Sequence, residues 1–183
     1  MGGKKVLAVF ADGFEEIEAI GVVDILRRAG LFVTIAGLSG FEVTSARGIK
    51  IRADISLDSV KEEFDAVVFP GGGIGAGNLS KSETVNAMIK KMHAQGKIVA
   101  AICASPALVL APTGILDGKN ATCYPGMEKE FSKKVKFQDK PVVVDGNVVT
   151  SKGPGTAFLF GLKIVEILKG KDAAETVKRE MLI

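Results

Sequence analysis

The sequence predicts an α/β protein in which helices cover both faces of a mostly parallel sheet. Short runs of β-branched and apolar residues alternate repeatedly with longer segments of helical periodicity, the pattern of a doubly wound sheet. The strand-like runs are apolar, as expected for strands buried on both faces. With 183 residues, 47% of them hydrophobic, the chain fits one domain over 1–183 with an ample core.

The first half of the chain contains four clear strands or strand pairs and one helix. The predicted elements are, in order, a strand over 6–10, a helix over 15–29, a strand over 32–36, a hairpin arm with strands over 42–44 and 49–53, and a buried strand over 66–69. Gly30 stands where the helix should end. Asp12-Gly13 and Pro70-Gly-Gly-Gly73 mark turns after the first and the last of these strands.

The second half repeats the alternation and closes with two helices. Its predicted elements are a helix over 82–94, a strand over 98–102, a helix that starts behind Cys103, strands over 120–123, 141–144 and 148–151, and helices over 158–168 and 173–179. Ser82 is a suitable N-cap and Gly96 a suitable stop for the first helix. The turn Asp145-Gly146-Asn147 joins two of the strands.

Composition excludes several classes of partner. The formal net charge is +3, with lysine and arginine scattered among acids, so no basic stripe predicts nucleic-acid binding. No run approaches the ~20 apolar residues of a membrane span, and the N-terminus lacks a signal-peptide pattern. Two cysteines do not make a disulfide framework. The expected location is cytoplasmic.

The segment from Lys97 to Leu110 carries the strongest functional signal. An apolar strand ends at Cys103, and a helix with Pro106 in its first turn begins almost at once. Hydrolases use such an elbow to present a nucleophile at the carboxyl edge of a sheet. A helix N-terminus favours a thiolate, so we expect a lowered pKa for Cys103. The alternative is a buried core cysteine without a chemical role.

Three glutamates lie at the start of the first predicted helix, and one of them stands out. Glu15 and Glu16 are explained by the favourable interaction of acids with the start of a helix. Glu18 lies between Ile17 and Ala19, in an apolar setting. A poorly solvated carboxyl has a raised pKa, and in its protonated form it can donate a hydrogen bond and act as a general acid and base.

The glycine-rich segment 70–77 lacks the features of a nucleotide-binding loop. It has neither the Gly-Lys-Ser/Thr ending of a P-loop nor the spacing of a dinucleotide fingerprint, so no cofactor is expected. Because parallel strands gather their carboxyl ends at one edge, this turn should lie near Cys103. Its backbone N–H groups could then form an oxyanion site.

The remaining histidine and cysteine are weaker candidates. His93 lies within the predicted helix over 82–94, where a surface position is expected, and this argues against a Cys/His mechanism. One histidine and two cysteines do not form a typical zinc site, so no metal is expected. Cys123 is either a core residue or a resolving thiol, and the strand-like residues before it favour the core.

Taken together, these motifs resemble the ThiJ/PfpI superfamily, in its branch of DJ-one (the Parkinson-disease protein deglycase) and bacterial ThiJ-like proteins. The resemblance covers essentially the whole chain. The matching motifs are Gly13-Phe-Glu-Glu-Ile-Glu18, Val23-Asp-Ile-Leu-Arg-Arg-Ala-Gly30, Pro70-Gly-Gly-Gly73, Ala100-Ala-Ile-Cys-Ala-Ser-Pro106 and Thr150-Ser-Lys-Gly-Pro-Gly-Thr156.

The resemblance implies a flavodoxin-like three-layer sandwich, usually a homodimer, with an oxidation-sensitive nucleophile at Cys103. It implies that protonated Glu18 is the hydrogen-bond partner of this cysteine. The backbone N–H groups of Gly72 and Ala104 would line the oxyanion pocket. Arg47 matches an arginine that approaches the site from the family's dimer interface.

The chain departs from the family pattern at three positions. Animal members have His-Pro where this chain has Tyr124-Pro125, so the Cys/His pair proposed for them is absent. PfpI-type peptidases need a histidine where Ala104 stands, which argues against peptidase activity. Gly73 replaces the family's asparagine after Pro-Gly-Gly and removes one polar contact.

Two functions of different classes are compatible with these residues. The first is a glutathione-independent glyoxalase or deglycase, a hydrolase or lyase acting on methylglyoxal-type dicarbonyls or early glycation adducts. The second is a non-catalytic redox sensor or chaperone of the oxidative stress response, because an exposed thiol of low pKa oxidises readily to sulfenic and sulfinic acid. No residue supports the older interpretation as a thiamine-biosynthesis component.

Overall fold

A computed structural model describes residues 3–183. The strands are, in chain order, β1 (Lys5–Phe10), β2 (Phe32–Gly37), β3 (Glu42–Thr44), β4 (Lys50–Arg52), β5 (Ile55–Ser56), β6 (Ala66–Phe69), β7 (Ile98–Ile102), β8 (Asn120–Ala121), β9 (Lys136–Phe137), β10 (Val142–Asp145) and β11 (Val148–Ser151). The α-helices are α1 (Val22–Arg28), α2 (Gly73–Ser80), α3 (Glu83–Ala94), α4 (Ala157–Lys169) and α5 (Lys171–Glu180).

Seven strands form the central sheet, in the order β10-β11-β7-β6-β1-β2-β5. Every neighbouring pair is parallel except β10 with β11. Residues 6–10 of β1, all of β6 and all of β7 are buried, because helices cover both faces of the sheet. The predicted mostly parallel α/β fold is therefore confirmed.

The helices form two outer layers. α1, α4 and α5 pack together on one face of the sheet, whereas α2 and α3 contact each other on the other face, where α3 packs on β6 and β7. Within residues 3–183, no helix is long and apolar enough to cross a membrane.

Two π-helical turns stand where the sequence predicts ordinary helix. The helix predicted over 15–29 begins with a π turn over Ile17–Gly21 and continues as α1. The helix predicted behind Cys103 is a π turn over Pro106–Leu110, followed by one 3₁₀ turn. Pro106 occupies the first turn as predicted. π turns inside helices are rare and frequently lie at functional sites.

The glycine-rich segment contains a helix that the sequence analysis missed. Residues 70–77 were expected to form a turn, but α2 begins at Gly73. Glycine disfavours helix by about 1 kcal/mol per residue, so local propensity does not predict α2. Contacts with the loop after β1 stabilise it: Gly75 N–H donates to Gly13 O at 3.2 Å, and Glu15 N–H donates to Gly71 O at 3.1 Å.

The strand predicted over 120–123 begins where predicted but is shorter. Only β8 is extended in a ladder, and it pairs with β9 in a separate two-stranded sheet. The next residues leave the ladder because their N–H groups bond elsewhere. Thr122 N–H donates to the Thr150 hydroxyl at 2.9 Å, and Tyr124 N–H donates to Cys103 O at 2.8 Å.

Candidate active site

Three adjacent strands bring the candidate residues to one edge of the sheet. β7, β6 and β1 are neighbours and parallel, so their carboxyl ends lie side by side. Cys103 follows β7, Gly71 and Gly72 follow β6, and Glu18 lies in the π turn after β1. This edge is where open α/β sheets bind their ligands.

Cys103 occupies a strained elbow. Its φ is 66°, and Cys103 and Leu182 are the non-glycine residues of the described chain with positive φ. Such a conformation costs roughly 1–3 kcal/mol and persists only where neighbours hold it. Here Cys103 N–H donates to Ser151 O at 2.9 Å, and Cys103 O accepts from Tyr124 N–H at 2.8 Å. The residue is 8% exposed, so its opening to solvent is narrow.

Glu18 is fully buried beside the cysteine. Its Oε2 accepts a hydrogen bond from Gly71 N–H at 2.8 Å, and its carboxyl lies within hydrogen-bonding reach of the Cys103 thiol. Its Oε1 has no hydrogen-bond partner among residues 3–183. The backbone N–H of Glu18 donates to the Glu15 carboxylate at 2.9 Å, so Glu15 caps the turn that positions Glu18.

Gly71 fits between the two side chains because it has no Cβ. A Cβ there would lie 2.5 Å from Glu18 Oε2 and 2.5 Å from Cys103 Cβ. The preceding residue is tied to the elbow by Ser105, whose buried hydroxyl donates to Pro70 O at 2.5 Å. Sequence reasoning missed this role of Ser105, although the residue lies two positions after the elbow cysteine.

Burial and mutual repulsion control the charges of the pair. Burial raises the pKa of Glu18 to about 7, while hydrogen bonds from Cys103 and Gly71 act in the opposite direction. Burial and the charge of Glu18 raise the pKa of Cys103 to about 12. The prediction of a lowered pKa for Cys103 is therefore wrong, because desolvation and a neighbouring carboxylate outweigh the N–H groups at the sulfur.

Two backbone N–H groups lie near the sulfur. Those of Gly72 and Ala104 act to lower the pKa of Cys103 and so favour its thiolate form. The structure thus brings four predicted residues together: Cys103, Glu18, Gly72 and Ala104.

Arg47 is not among these four residues within one chain. It lies exposed on the turn between β3 and β4, where its N–H donates to Glu16 Oε1 at 2.7 Å.

Glu16 has a role that the sequence analysis did not find. Its Oε1 also accepts from the Ser45 hydroxyl at 2.5 Å, so this carboxylate ties the β3–β4 hairpin to the π turn that carries Glu18. These hydrogen bonds, that from Ser45 foremost, lower the pKa of Glu16. An interaction with the helix terminus alone is therefore an incomplete account of Glu16.

His93 and Cys123 lie outside the thiol–carboxyl pair. His93 belongs to the last turn of α3, next to the start of β7, whereas Cys103 follows its end, about 16 Å along a five-residue strand. The expected surface position is only partly right: His93 is half-buried, and burial lowers its pKa. Cys123 is fully buried and, like Cys103, free of any disulfide.

Neither a metal-binding cluster nor the best-formed cavity adds a second set of chemical groups to the described residues. No group of three or more His, Cys, Asp or Glu side chains within 3–183 could hold a metal ion. A cavity of about 390 Å³ between α4, α5 and β10 is lined by Leu159, Leu162 and Lys178, and contains neither Cys103 nor Glu18.

Fold and site together define an α/β protein with a thiol–carboxyl pair at the carboxyl edge of a parallel sheet. The model of the DJ-1/PfpI family matches residues 4–167. Protein dj-1beta of Drosophila melanogaster is 43% identical over 183 residues, which cover 98% of this chain and 97% of the relative. The chain therefore belongs to the DJ-1/PfpI family, which confirms the resemblance found in the sequence.

A solved structure and a second relative agree with this assignment. The crystal structure of Drosophila melanogaster DJ-1beta matches with a TM-score of 0.96 at 42% identity, covering 100% of this chain and 99% of that chain. A Caenorhabditis elegans protein named glutathione-independent glyoxalase DJR-1.2 is 39% identical over 171 residues, 92% of this chain and 90% of the relative.

Proposed function

We propose that this protein is a cysteine-dependent glyoxalase that converts methylglyoxal-type dicarbonyls to hydroxy acids without glutathione. One observation carries the proposal. A buried carboxyl with a pKa of about 7 lies beside a cysteine whose sulfur receives two backbone N–H bonds. Such a carboxyl exchanges its proton near neutral pH, as general acid–base catalysis requires. The name of the Caenorhabditis elegans relative supports the same activity.

The first step adds the sulfur to the aldehyde. While Glu18 keeps its proton, its charge no longer adds to the burial that raises the pKa of Cys103, and the N–H groups of Gly72 and Ala104 stabilise the thiolate. The thiolate attacks the aldehyde carbon of methylglyoxal, a C–S bond forms, and the carbonyl oxygen takes the proton of Glu18. The product is a hemithioacetal on Cys103.

The second step moves one proton between adjacent carbons. Glu18, now a carboxylate, removes the proton from the carbon that carries sulfur and gives an enediolate. It then returns this proton to the neighbouring carbon, and the hydroxyl proton beside sulfur moves to the neighbouring oxygen, which leaves a lactoyl thioester on Cys103. Water adds to the thioester carbonyl, and the C–S bond breaks to release lactate and the free thiol. The N–H groups of Gly72 and Ala104 are placed to hold the oxyanion of this last step.

The same chemistry on an early adduct of a dicarbonyl with a protein or nucleotide would be deglycation.

The alternative function, a redox sensor or chaperone, has one observation in its favour. The two N–H groups at the sulfur would equally hold the oxygens of a sulfinate on Cys103. A single assay distinguishes the glyoxalase from the redox sensor.

The test follows lactate formed from methylglyoxal by purified protein without glutathione. We expect many lactate molecules per protomer from the unaltered protein and none from Cys103→Ser. Cys123→Ala serves as the control, because it removes the other buried thiol and should keep turnover. Stoichiometric loss of methylglyoxal without lactate would overturn the glyoxalase proposal and favour the sensor.

We further propose that the protein acts as a homodimer. Exposed apolar side chains come from segments that pack near the site: Ile17 and Ile20 in the π turn, Ile49 in the β3–β4 hairpin, and Phe158 in α4. Phe158 contacts the π turn, since a Cβ on Gly21 would lie 3.1 Å from its ring. A second copy covering this patch would bring its Arg47 toward Cys103, the approach that the family resemblance implies.

A further inference from the structure

A fourth strand contributes to the site through Gly153. This residue follows β11, the neighbour of β7 in the sheet. A Cβ on Gly153 would lie 3.3 Å from Cδ2 of Tyr124 and 3.9 Å from Oε1 of Glu18. The ring of Tyr124 and the free oxygen of Glu18 therefore approach the same point above the Gly153 backbone.

The backbones on both sides of this point are fixed. Tyr124 N–H donates to Cys103 O at 2.8 Å, and Tyr124 O accepts from Met127 N–H at 3.0 Å. Gly153 N–H donates to the Thr156 hydroxyl at 3.1 Å, and Gly153 O accepts from Thr156 N–H at 2.8 Å. Tyr124 is 47% exposed, so its side chain has contact with solvent. Its backbone and that of Gly153 are both held by hydrogen bonds.

We propose that Tyr124 is a selectivity residue whose ring, lying against Gly153, covers Glu18 and limits the width of the entrance to Cys103. Substrates with compact groups beside the dicarbonyl would pass, and substrates with bulky groups would be slowed. The dicarbonyl class of these substrates rests on the proposed function, whereas the steric claim rests on the geometry alone.

Burial around the pair agrees with this role. Glu18 Oε1 is shielded from solvent although it has no hydrogen-bond partner within 3–183. The space beside Gly153 that lies near this oxygen is also the space that the Tyr124 ring approaches. Cys103 is 8% exposed, so even a small increase in access should change its reaction with large reagents. The ring of Tyr124, and not its hydroxyl, covers Glu18, so phenylalanine at this position should have the same effect as tyrosine.

The test measures alkylation of Cys103 by iodoacetamide and by the bulkier N-phenyliodoacetamide, with the modified residue identified by peptide mass mapping. We expect Tyr124→Ala to raise the ratio of bulky to small reagent rates at least fivefold. Tyr124→Phe should keep this ratio within twofold. Gly153→Ala should lower it, because its Cβ would meet the ring at 3.3 Å. An unchanged ratio in Tyr124→Ala would overturn the proposal.

A second readout connects the entrance to turnover. In Tyr124→Ala, kcat/KM for phenylglyoxal should rise relative to that for methylglyoxal, with most of the change in KM. If the unaltered protein forms no lactate, the glyoxalase proposal fails, but the alkylation ratios still decide the role of Tyr124. If turnover is present and both ratios are unchanged, the selectivity proposal alone fails.

Discussion

At the scale of single residues, Glu18 and Cys103 titrate as one unit. Each is buried against the other, so the first negative charge on the pair hinders the second, and the apparent pKa values of about 7 and about 12 belong to the pair. Neutral pH is therefore where the pair changes its charge.

The raised pKa of Glu18 predicts a specific pH dependence of stability. As pH rises from about 4.5 to about 7, unfolded Glu18 releases its proton while folded Glu18 keeps it, so the free energy of unfolding falls by about 3 kcal/mol. Glu18→Gln lacks this loss. Urea unfolding should show that, as pH rises from 4 to 8, the free energy of unfolding of Glu18→Gln increases by about 3 kcal/mol relative to that of the unaltered protein. A constant difference would show that Glu18 titrates normally.

At the scale of elements, loops and turns after different strands hold one another in place. The Ser105 hydroxyl joins the turn after β7 to Pro70 after β6, and Glu16 joins the turn after β1 to the β3–β4 hairpin. The relative positions of Cys103, Gly72 and Glu18 thus depend on hydrogen bonds between segments rather than on the strands alone.

Ser105→Ala should cost about 1–3 kcal/mol of unfolding free energy, because it removes the hydroxyl that donates to buried Pro70 O. Chemical denaturation measures the loss. Ser132→Ala is the control, since its exposed hydroxyl bonds to Asp117 and its loss should change stability by less than about 0.5 kcal/mol. Equal effects of the two substitutions would refute a supporting role for Ser105.

Glu16→Ala should loosen the β3–β4 hairpin and speed tryptic cleavage after Arg47. It removes the acceptor of both the Ser45 hydroxyl and the Arg47 N–H. Limited trypsin digestion followed by mass mapping should give several-fold faster cleavage after Arg47. Glu42→Ala removes only an exposed ion pair with Lys50 in the same hairpin, so its cleavage rate should stay within twofold of the original. No difference between these variants would contradict the role of Glu16.

At the scale of the whole molecule, the parallel sheet brings site residues from distant parts of the chain together. Residues 18, 71, 103 and 153 come from four segments that adjacent strands deliver to one edge. The apolar patch beside this edge, formed by Ile17, Ile20, Ile49 and Phe158, is where a second copy would bind.

Phe158→Glu should therefore turn a dimer into a monomer in sedimentation experiments, because it places a charge within that patch. Phe32→Glu is the matched control: its ring is 63% exposed at the start of β2, the opposite end of the strands from Cys103, and it should leave the dimer intact. If the unaltered protein sediments as a monomer, the homodimer proposal is wrong.

The sequence predicts the buried strands well and the contacts between segments poorly. β6, β7 and β11 have the predicted bounds, because short apolar runs between turn residues have few alternatives. α2 was missed because packing, not propensity, makes it helical. Cys103 was found because it stands at a turn between an apolar strand and a helix. Glu18 was found because it is an acid among apolar residues. The pKa direction of Cys103 and the roles of Ser105 and Glu16 depend on distant neighbours, which local pattern does not show.

The central claim is that Glu18 carries the proton between the two carbons of a substrate held on Cys103. Chiral analysis of the lactate formed from methylglyoxal tests it most directly, with Glu18→Gln as the comparison. Because one buried carboxyl delivers the proton from one side of a planar enediol, we predict a single enantiomer and a more than tenfold slower reaction in the variant. Racemic lactate, or a rate that Glu18→Gln leaves unchanged, would contradict the mechanism.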